Sequence, residues 1–482
     1  MTNFTLFLAF KQKNEEFVMN KLKTTNNSHK DKNKLGYIDP TVAGIDIGSE
    51  LIHVSVSDGK KGVSIHEFGS TTPELHSIAQ LLKERGATTA VMEATGVYWI
   101  PLYEILESLN FEAVLVDAKT VKNVPGRKSD ILDCQWIQTL YSNGLLRAAY
   151  RPPKDRLKLR SYVRQRLNII KSRQFSLQLM EKALQLMNIK LSVAVSDISG
   201  VSGMAIIKAI VRGERDPVVL TTLRNKQCKK PEKAFINALS GNFQEDHLFG
   251  LKQALDHYEF SLKQLEECDK MVEKELESYP DVVNTPVPER DKDKKNRKGT
   301  GVRKVKKKAS NSFAIREVLW RKRGIDLTAV PGVEANTALL IFAELGGADV
   351  SAWSTEKEFA SWLKLCPGNN ISGGKRRKSK RQPSTNYVAQ ALRMSALSAK
   401  QSKSHIGAHI RRMCGKTDKL KGIKAGAHKL SHILYGMCKE GWQFHEKGEG
   451  YYEEKQREQM LKNLTKKAHA NGYKLVPILN VA

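Results

Sequence analysis

The stretch DAKTVKNVPGRKSDILDCQWIQ occupies residues 117–138. It follows the apolar run EAVLV at residues 112–116, which is predicted to be a strand. It crosses a basic turn that contains Pro125 and Gly126. The spacing after this turn is that of a helix beginning at Ser129, because a serine hydroxyl can accept a hydrogen bond from an unpaired N–H of a first helical turn. The stretch therefore predicts a strand, a turn and a helix in succession.

Two acidic residues mark the start of this predicted helix. Asp130 and Asp133 lie one turn apart, on the face that also carries Ile137 and Leu140. If the apolar side chains pack the helix on a sheet, both carboxylates are held over the edge of that sheet. Two carboxylates held together favour a divalent cation between them.

The preceding residues predict further elements of the same domain. One hydrophobic strand carries Asp46, a second strand alternates apolar and polar residues, and a later buried-type strand ends in Glu93. Helical spacing follows at residues 73–85 and 97–109. Hairpin strands followed by alternating strands and helices predict a mixed sheet with flanking helices, an α/β domain over residues 41–150.

The acids of this domain are candidate metal ligands. In such sheets, ligands gather at the edge where loops leave the strands, so Asp46, Glu93, Asp130 and Asp133 are expected to converge there. Ligands that are all oxygen suit Mg²⁺ or Mn²⁺ better than zinc. The chemistry that such a site supports is cleavage or transfer of a phosphodiester. The alternative is that the four acids are helix caps and solvated turn residues.

The composition indicates a polyanionic partner. The 482 residues include 80 Lys and Arg against 51 Asp and Glu, a formal net charge of +29, which favours nucleic acid. A membrane surface is the other candidate, but no apolar run approaches the roughly 18–20 residues of a spanning helix. The six cysteines are scattered without a C-x-x-C pair, so we expect no disulfide framework and a reducing cytoplasm. Residues 1–40 are predicted to be a disordered basic leader.

Residues 151–279 are predicted to be a helical region with coiled-coil character. From Leu248 to Leu276, apolar residues recur in alternating steps of three and four, with Asp269 as a polar break. Such a seam is typical of an intramolecular helical pair or of self-association through a coiled coil. We favour self-association, as a dimer or tetramer, because the helix predicted at residues 155–189 offers a poorer partner seam.

The remaining residues predict a linker, a domain and a tail. Residues 280–312 are basic and contain almost no large apolar residues, so we expect a disordered linker. Residues 313–448 are predicted to be a mostly α-helical domain. Its Pro-Gly-Val turn at residues 331–333 resembles a helix–hairpin–helix, which presents N–H groups to phosphate, although packing between helices explains it as well. Residues 449–482 form a charged tail.

A glycine turn of this C-terminal domain is surrounded by cations and begins at Ser372. The residues that we assign to nucleic-acid binding are Gly373, Gly374, Lys375, Arg376 and Arg377 here, and Arg127 and Lys128 in the first domain. Glycines let a backbone approach a phosphate, and cations hold it. A serine so placed is a candidate nucleophile if another group removes its proton. From the residues alone, a flexible basic loop with an incidental serine is the simpler interpretation.

Two histidine pairs at helical spacing raise zinc as an alternative cofactor. They are His405 with His409 and His428 with His432. Neither pair has an acid or a suitably spaced cysteine near it in the sequence. We therefore expect these histidines to pack in the core or to face DNA.

The order of motifs resembles a known family. GIDIGS, VMEATGVYW, VPGRKSDILDCQWIQTLYSNGLLRAAYRPP, AVPGVEANTALLIFAELG and SGGKRRKSKR together resemble the DEDD-type insertion-sequence transposases, the group related to Piv-like DNA invertases. The resemblance covers nearly all of residues 41–440. It implies a RuvC-like (RNase H-like) nuclease domain, a coiled-coil region and a C-terminal transposase domain. It also implies metal binding by Asp46, Glu93, Asp130 and Asp133, and a catalytic serine at Ser372.

The resemblance further implies a mechanism and partners. The acids of one domain would activate Ser372 of the other, across subunits, for attack on the DNA backbone through a covalent phosphoserine intermediate and a branched junction. A structured non-coding RNA of the element would pair with target and donor DNA. The implied location is the bacterial or archaeal cytoplasm, at the nucleoid. The alternatives are a RuvC-like junction-resolving endonuclease that uses water with the acids alone, and a catalytically inactive nucleic-acid-binding scaffold.

Overall fold

The structure is a computed structural model of the chain. It describes residues 38–59, 62–94, 96–117, 121, 130–225, 227–228, 230–289, 313–367, 370–373, 375–377 and 386–476, and only the backbone of residues 130–132, 370–372 and 375–377. The chain forms two compact units, Met1–Arg151 and Pro152–Ala482.

The first unit is built on a five-stranded mixed sheet. Its strands are β1 (Val42–Ile47), β2 (Leu51–Ser57), β3 (Val63–Gly69), β4 (Thr89–Glu93) and β5 (Glu112–Val116). Their order in the sheet is β3-β2-β1-β4-β5. β2 runs antiparallel to both β1 and β3, whereas β1, β4 and β5 run parallel. The predicted mixed α/β domain is confirmed.

Helices cover both faces of this sheet. They are α1 (Thr72–Glu84), α2 (Trp99–Ser108) and α3 (Asp130–Ser142). Because side chains alternate along a strand, Ile45 of β1 points into a core with α1 and α2. Val91 of β4 points the other way, into a core with Ile137 and Leu140 of α3. The predicted packing of α3 through these two residues is confirmed, while its expected cap, Ser129, lies outside the described residues.

Helix α3 lies directly against β1 at Gly44. A Cβ at this position would overlap the carbonyl oxygen of Cys134 and would lie 2.7 Å from the backbone nitrogen of Gln138. The buried Gln138 side chain joins the two layers. Its Nε2 donates to the carbonyl oxygen of Val42 at 2.6 Å, and its Oε1 accepts from Ser55 Oγ at 2.5 Å. These contacts fix the position of α3 on the sheet.

The second unit begins with two long helices that are separated in sequence by four short ones. The six are α4 (Lys154–Leu186), α5 (Leu191–Ala194), α6 (Val201–Val211), α7 (Pro217–Thr222), α8 (Glu232–Leu239) and α9 (Glu245–Glu277). α4 and α9 pack along each other. The short helices share a core with them around the buried Phe235.

The heptad seam of α9 is filled from within the chain. Its residues Leu251, Leu255 and Leu276 are buried, and the helix that lies along α9 is α4. The structure therefore has the intramolecular helical pair, and the expectation that this seam joins subunits is not supported. A dimer or tetramer stays a prediction that would require another surface.

The polar break of the seam has its partner on α4. Arg166 Nε donates to Asp269 Oδ1 at 2.5 Å, and each side chain is 2% exposed. A buried charge that loses its partner is strongly destabilising. The pair therefore favours the one register of α4 and α9 in which both charges are matched.

The C-terminal part of the unit is mostly helical, as predicted. Its elements are α10 (Ile315–Arg323), α11 (Ala335–Glu344), α12 (Glu356–Trp362), β6 (Asn370–Ser372), β7 (Lys375–Arg377), α13 (Tyr387–Ala399), α14 (His405–Lys416), α15 (Lys419–Glu440) and α16 (Gly448–Ala470). Glu344 of α11 is buried and accepts two hydrogen bonds from Arg164 of α4, at 2.6 and 2.9 Å. Arg160 of α4 adds an ion pair at 3.0 Å. These arginines tie α4 to the C-terminal helices.

The turn that resembled a helix–hairpin–helix packs inside the unit. Gly332 has a φ of +84°, and a Cβ there would overlap the carbonyl oxygen of Ser395 in α13. A short 3₁₀ helix, Leu327–Ala329, precedes the turn in place of a second α-helix. Packing between helices thus accounts for the glycine, and a helix–hairpin–helix is not supported.

The first residues of the predicted linker are held against α10. The backbone nitrogen of Val282 donates to the carbonyl oxygen of Arg321 at 2.7 Å. The indole Nε1 of Trp320 donates to the carbonyl oxygen of Thr285 at 2.8 Å. This part of the chain is anchored although it lacks helix and strand, while residues 290–312 lie outside the described residues.

The predicted tail begins as helix α16, which is attached to α14. Arg411 of α14 pairs with Glu449, and the rings of His409 and Tyr452 meet edge to face with centroids 5.8 Å apart. Like every other helix in the described ranges, α16 is not long and apolar enough to cross a membrane.

We expect Asp269→Asn to lower the free energy of unfolding of the second unit by about 3–5 kcal/mol, because it leaves the Arg166 guanidinium buried without a charged partner. Urea unfolding followed by circular dichroism measures this loss. The matched control is the double variant Arg166→Met with Asp269→Leu, which should recover most of it, because an apolar pair of similar volume replaces the charges. An equal loss in the single and double variants would contradict the proposed role of the ion pair.

Candidate functional site

Two acids lie side by side where β1 and β4 end. Ile45 of β1 is in register with Met92 of β4, so Asp46 and Glu93 are the next residues along these two adjacent parallel strands. Neighbouring strands are about 4.8 Å apart. On each strand the residue two positions earlier faces α3, and side chains two apart share a face, so both acids point to the α3 side of the sheet.

Helix α3 carries a third acid, Asp133, over this face. The thiol of the adjacent Cys134 reports on the surroundings: burial raises its pKa to about 12, and the nearby carboxylates of Asp46 and Asp133 add to the rise. The two carboxylates therefore lie in one neighbourhood. Asp130 is the first residue of α3, and its side chain lies outside the described part of the chain.

The chemistry of these donors fits a hard divalent cation. Carboxylate oxygens are the ligands that Mg²⁺ and Mn²⁺ prefer, and zinc sites use nitrogen or sulfur ligands more often. Asp46, Glu93 and Asp133 come from three elements, and each is partly buried. Among the side chains that the structure describes, no three His, Cys, Asp or Glu groups are placed to hold a metal ion together. The described acids thus supply suitable donors on one face without forming a closed coordination group by themselves.

Sequence reasoning missed a histidine that borders these acids. His53 of β2 lies directly across from Asp46 in the antiparallel register. It shares the α3 face, because Ser55, two residues later, bonds to Gln138 of α3. Its Nε2 is 3.5 Å from Oε2 of Glu67 on β3. The alternating pattern of β2 was the available signal, but the pairing register was needed to place His53 beside Asp46.

The serine of the C-terminal domain belongs to a small hairpin. Strands β6 and β7 are antiparallel, and Ser372 pairs with Lys375 across the two connecting glycines. Gly373 has a φ of +57°, a conformation that favours glycine and suits a two-residue hairpin turn. The pairing of Ser372 with Lys375 agrees with the predicted Ser-Gly-Gly-Lys turn, of which Gly374 lies outside the described residues. Of the assigned residues, only the backbone is described for Asp130, Ser372, Lys375, Arg376 and Arg377, and outside the described residues lie Arg127, Lys128 and Gly374.

The histidine pairs have acidic neighbours that the sequence did not indicate. His405 Nδ1 lies 2.7 Å from Oε1 of Glu446, and His432 Nδ1 lies 3.0 Å from Oε1 of Glu356. No acid lies near either pair in the sequence, and folding brings these distant carboxylates to the histidines. His428 and His432 also contact each other through their Nε2 atoms.

Comparison with known families gives two matches. A family model described as Transposase, for DEDD transposases of the IS110 type, matches residues 43–189. A second, described as Transposase IS116/IS110/IS902 family, matches residues 326–411. No curated protein matches the chain significantly.

These matches fall on the two parts of the chain that carry the candidate site residues. The first range contains the four acids and helix α3, and the second contains the hairpin of Ser372. The resemblance inferred from the motifs is confirmed. Over both ranges the chain is similar to IS110-type transposases, and the two matches together support an insertion-sequence transposase.

Proposed function

We propose that this transposase cuts and rejoins DNA with an acidic metal site in a RuvC-like (RNase H-like) domain and with Ser372 as the nucleophile. The observation that carries the proposal is the position of Asp46 and Glu93, which end adjacent parallel strands on the face that α3 covers with Asp133. Three antiparallel strands followed by two parallel ones, in the order β3-β2-β1-β4-β5, support the RuvC-like assignment.

We assign the metal ligands to Asp46, Glu93, Asp130 and Asp133. A divalent cation bound by them, Mg²⁺ or Mn²⁺, supplies Lewis-acid stabilisation of charge on the phosphodiester. The chain itself orients the donors: Gly44 lets α3 approach β1, and the Gln138 bonds hold the helix there. Asp133 is thereby kept in the neighbourhood of Asp46, where both carboxylates act on the Cys134 thiol.

Ser372 is assigned the attack on phosphorus. Its Oγ forms a bond to phosphorus while the bond from phosphorus to one strand terminus breaks, and the departing oxygen takes up a proton. The serine proton passes to a base that is part of the same site. The two-residue turn after Ser372 supports this role, because glycine leaves room for a phosphate near the backbone.

We further propose that the protein carries a structured guide RNA of its element together with DNA. The support is the formal net charge of +29. Ion pairs within the protein leave this net charge unchanged, and a polyanion such as nucleic acid would neutralise it. The basic side chains next to Ser372 and at Arg127 and Lys128 are candidates for phosphate contacts.

Substitution of the acids should abolish DNA cleavage. We expect Asp133→Asn and Glu93→Gln to reduce strand cleavage at least about 100-fold, because each loses a charge that a divalent cation needs. The measurement is cleavage of the element's own termini with Mg²⁺ supplied. Glu112→Gln is the matched control: this acid begins β5 at the opposite end of the sheet and should leave the rate unchanged. Normal cleavage by Asp133→Asn would exclude the metal assignment and favour a scaffold role.

Ser372→Ala should separate a recombinase from a junction-resolving nuclease. The variant is expected to lose the covalent protein–DNA adduct and all strand transfer, because alanine has no hydroxyl oxygen to form the bond to phosphorus. Denaturing gels of labelled DNA detect the adduct. Ser361→Ala, which removes an exposed hydroxyl of α12, is the control. Retention of Mg²⁺-dependent cleavage by Ser372→Ala would indicate that water is the nucleophile and that the protein is an endonuclease.

The bound RNA can be identified directly. When the protein is expressed with its native flanking DNA, one RNA encoded by the element should be enriched on it, because a guide must be structured and retained through purification. Sequencing of the RNA that copurifies with the protein, compared with an unrelated basic protein, measures the enrichment. A population without an enriched RNA would exclude guidance but leave the transposase assignment in place.

A further inference from the structure

Exposed apolar side chains gather at the end of the sheet where the acids lie. Among the described residues of the first unit, the large apolar side chains that are exposed are Leu51, Val97, Tyr98, Leu109 and Leu145. The first three lie at the end of the sheet that carries Asp46 and Glu93, because β2 begins there and β4 ends there. The last two lie at the other end, before β5 and after α3. Single apolar residues are ordinary on a surface, whereas a cluster of them marks a place of binding.

The turn after β4 presents two of these side chains. Residues Gly96–Tyr98 form the turn, and Gly96 has a φ of +62°. Val97 is 65% exposed and Tyr98 is 53% exposed. A Cβ at Gly96 would lie 3.5 Å from Cδ2 of Tyr98, so the edge of the tyrosine ring rests against the turn. The ring is thus supported by the backbone while more than half of the residue faces solvent.

The next residue fixes this turn to α2. The indole Nε1 of Trp99 donates to the carbonyl oxygen of Gly96 at 3.3 Å. The Trp99 ring meets that of Tyr103 edge to face, with centroids 5.7 Å apart, and the Arg151 guanidinium lies 4.0 Å from the Tyr103 centroid. Both rings pack against the core between α1, α2 and the sheet. Packing therefore accounts for Trp99, but it does not account for the exposure of Tyr98 beside it.

The exposed tyrosine lies close to the acids along the chain. Tyr98 follows Glu93 by five residues. A residue extends a chain by at most about 3.6 Å, so the two Cα atoms lie within about 18 Å of each other. Successive bases of a DNA strand are about 3.4 Å apart along the helix axis. A strand whose phosphate is held at the acids therefore has bases within reach of the Tyr98 ring.

A nucleobase is the ligand that suits this surface. The acids repel the phosphates of an approaching strand until a cation is bound, so charge alone does not draw the strand to them. An aromatic ring attracts a base through its π face, without any charge and for every base. Tyrosine is also rigid, with two side-chain torsions, so ordering it on binding costs little entropy. The exposed ring thus supplies an attraction that the acids lack.

We propose that Tyr98 stacks on a nucleobase of the DNA strand within a few nucleotides of the phosphate that the acidic site cleaves, and so fixes the position of the strand. The proposal rests on the function proposed for Asp46, Glu93 and Asp133. Leu51 and Val97 extend the apolar surface on which the base and its sugar lie. Because stacking accepts every base, Tyr98 sets the position of the strand without selecting its sequence.

Photocrosslinking detects the stacked base directly. The pyrimidines on either side of the mapped cut in the element's termini are replaced, one at a time, by 5-iodouracil, which on irradiation forms a bond to an aromatic ring stacked on it. The full-length protein, with any RNA that copurifies, is irradiated with each DNA in the presence of Mg²⁺. Peptide mass spectrometry should find the adduct at Tyr98. Tyr98→Phe should retain the adduct because it keeps the ring, whereas Tyr98→Leu and Tyr98→Ala should lose it.

An abasic site in the DNA tests whether the ring and the base act together. Removal of the crosslinked base should slow cleavage by the wild type about tenfold. Tyr98→Ala should cleave intact DNA about tenfold more slowly and lose nothing further on abasic DNA, because both changes remove the same contact. Leu109→Ala is the matched control, since it removes a similarly exposed side chain at the opposite end of the sheet, and it should match the wild type on both DNAs. If Tyr98→Ala does not fold, as checked by circular dichroism, the comparison of Tyr98→Phe with Tyr98→Leu decides.

Three outcomes overturn the stacking. They are adducts that never fall on Tyr98, losses that multiply when Tyr98→Ala is combined with abasic DNA, and wild-type cleavage of intact DNA by Tyr98→Ala. The last would indicate that another protein surface covers this end of the sheet. Failure of the proposed function is distinguishable, because normal cleavage by Asp133→Asn would exclude the metal assignment and leave the adduct at Tyr98 in place.

Discussion

The contact between helix α3 and strand β1 is the constraint on which the candidate active site depends. Gly44 has no side chain, and the backbone of α3 occupies the space that a Cβ would need. Gln138 then bonds to the β1 backbone and to Ser55 of β2, which satisfies its buried amide. Since Asp133 lies five residues before Gln138 on the same helix, this contact also determines how far the carboxylate stands from Asp46 and Glu93.

In the second unit, charges decide which helices become neighbours. The apolar residues of α9 would suit any partner with a complementary seam, but Asp269 requires a cation at one level of that seam. Arg166 of α4 provides it, and Arg160 and Arg164, on a different face of the same helix, hold Glu344 of α11. Helix α4 thus connects the long helical pair to the C-terminal helices by ion pairs. These buried charges favour one arrangement of the unit even where their net contribution to its stability is small.

The two parts of the proposed chemistry rest on different kinds of support. The acids project from strand ends and from a helix packed on the sheet, where the backbone is held by a ladder of hydrogen bonds. The serine belongs to a hairpin of two three-residue strands. A metal site requires fixed donors.

Much of the fold and of the site could be predicted from local pattern. The period of two along the strands and the spacing of Ile137 and Leu140 predict a mixed sheet covered by α3, and the positions of Asp46 and Glu93 at strand ends mark the acidic edge. These features depend on residues that are near one another in the chain, where side-chain direction follows from the element alone.

Tertiary structure decided the pairings between distant residues. His53 is placed beside Asp46 by strand register, and α4, not a second subunit, fills the α9 seam. Gly332 faces Ser395, and Glu356 and His432 come together although 76 positions separate them in the sequence. A local pattern states which face of an element is apolar or charged. It does not state which of several suitable faces will cover it, because that choice depends on the burial and charge pairing of the whole unit at once.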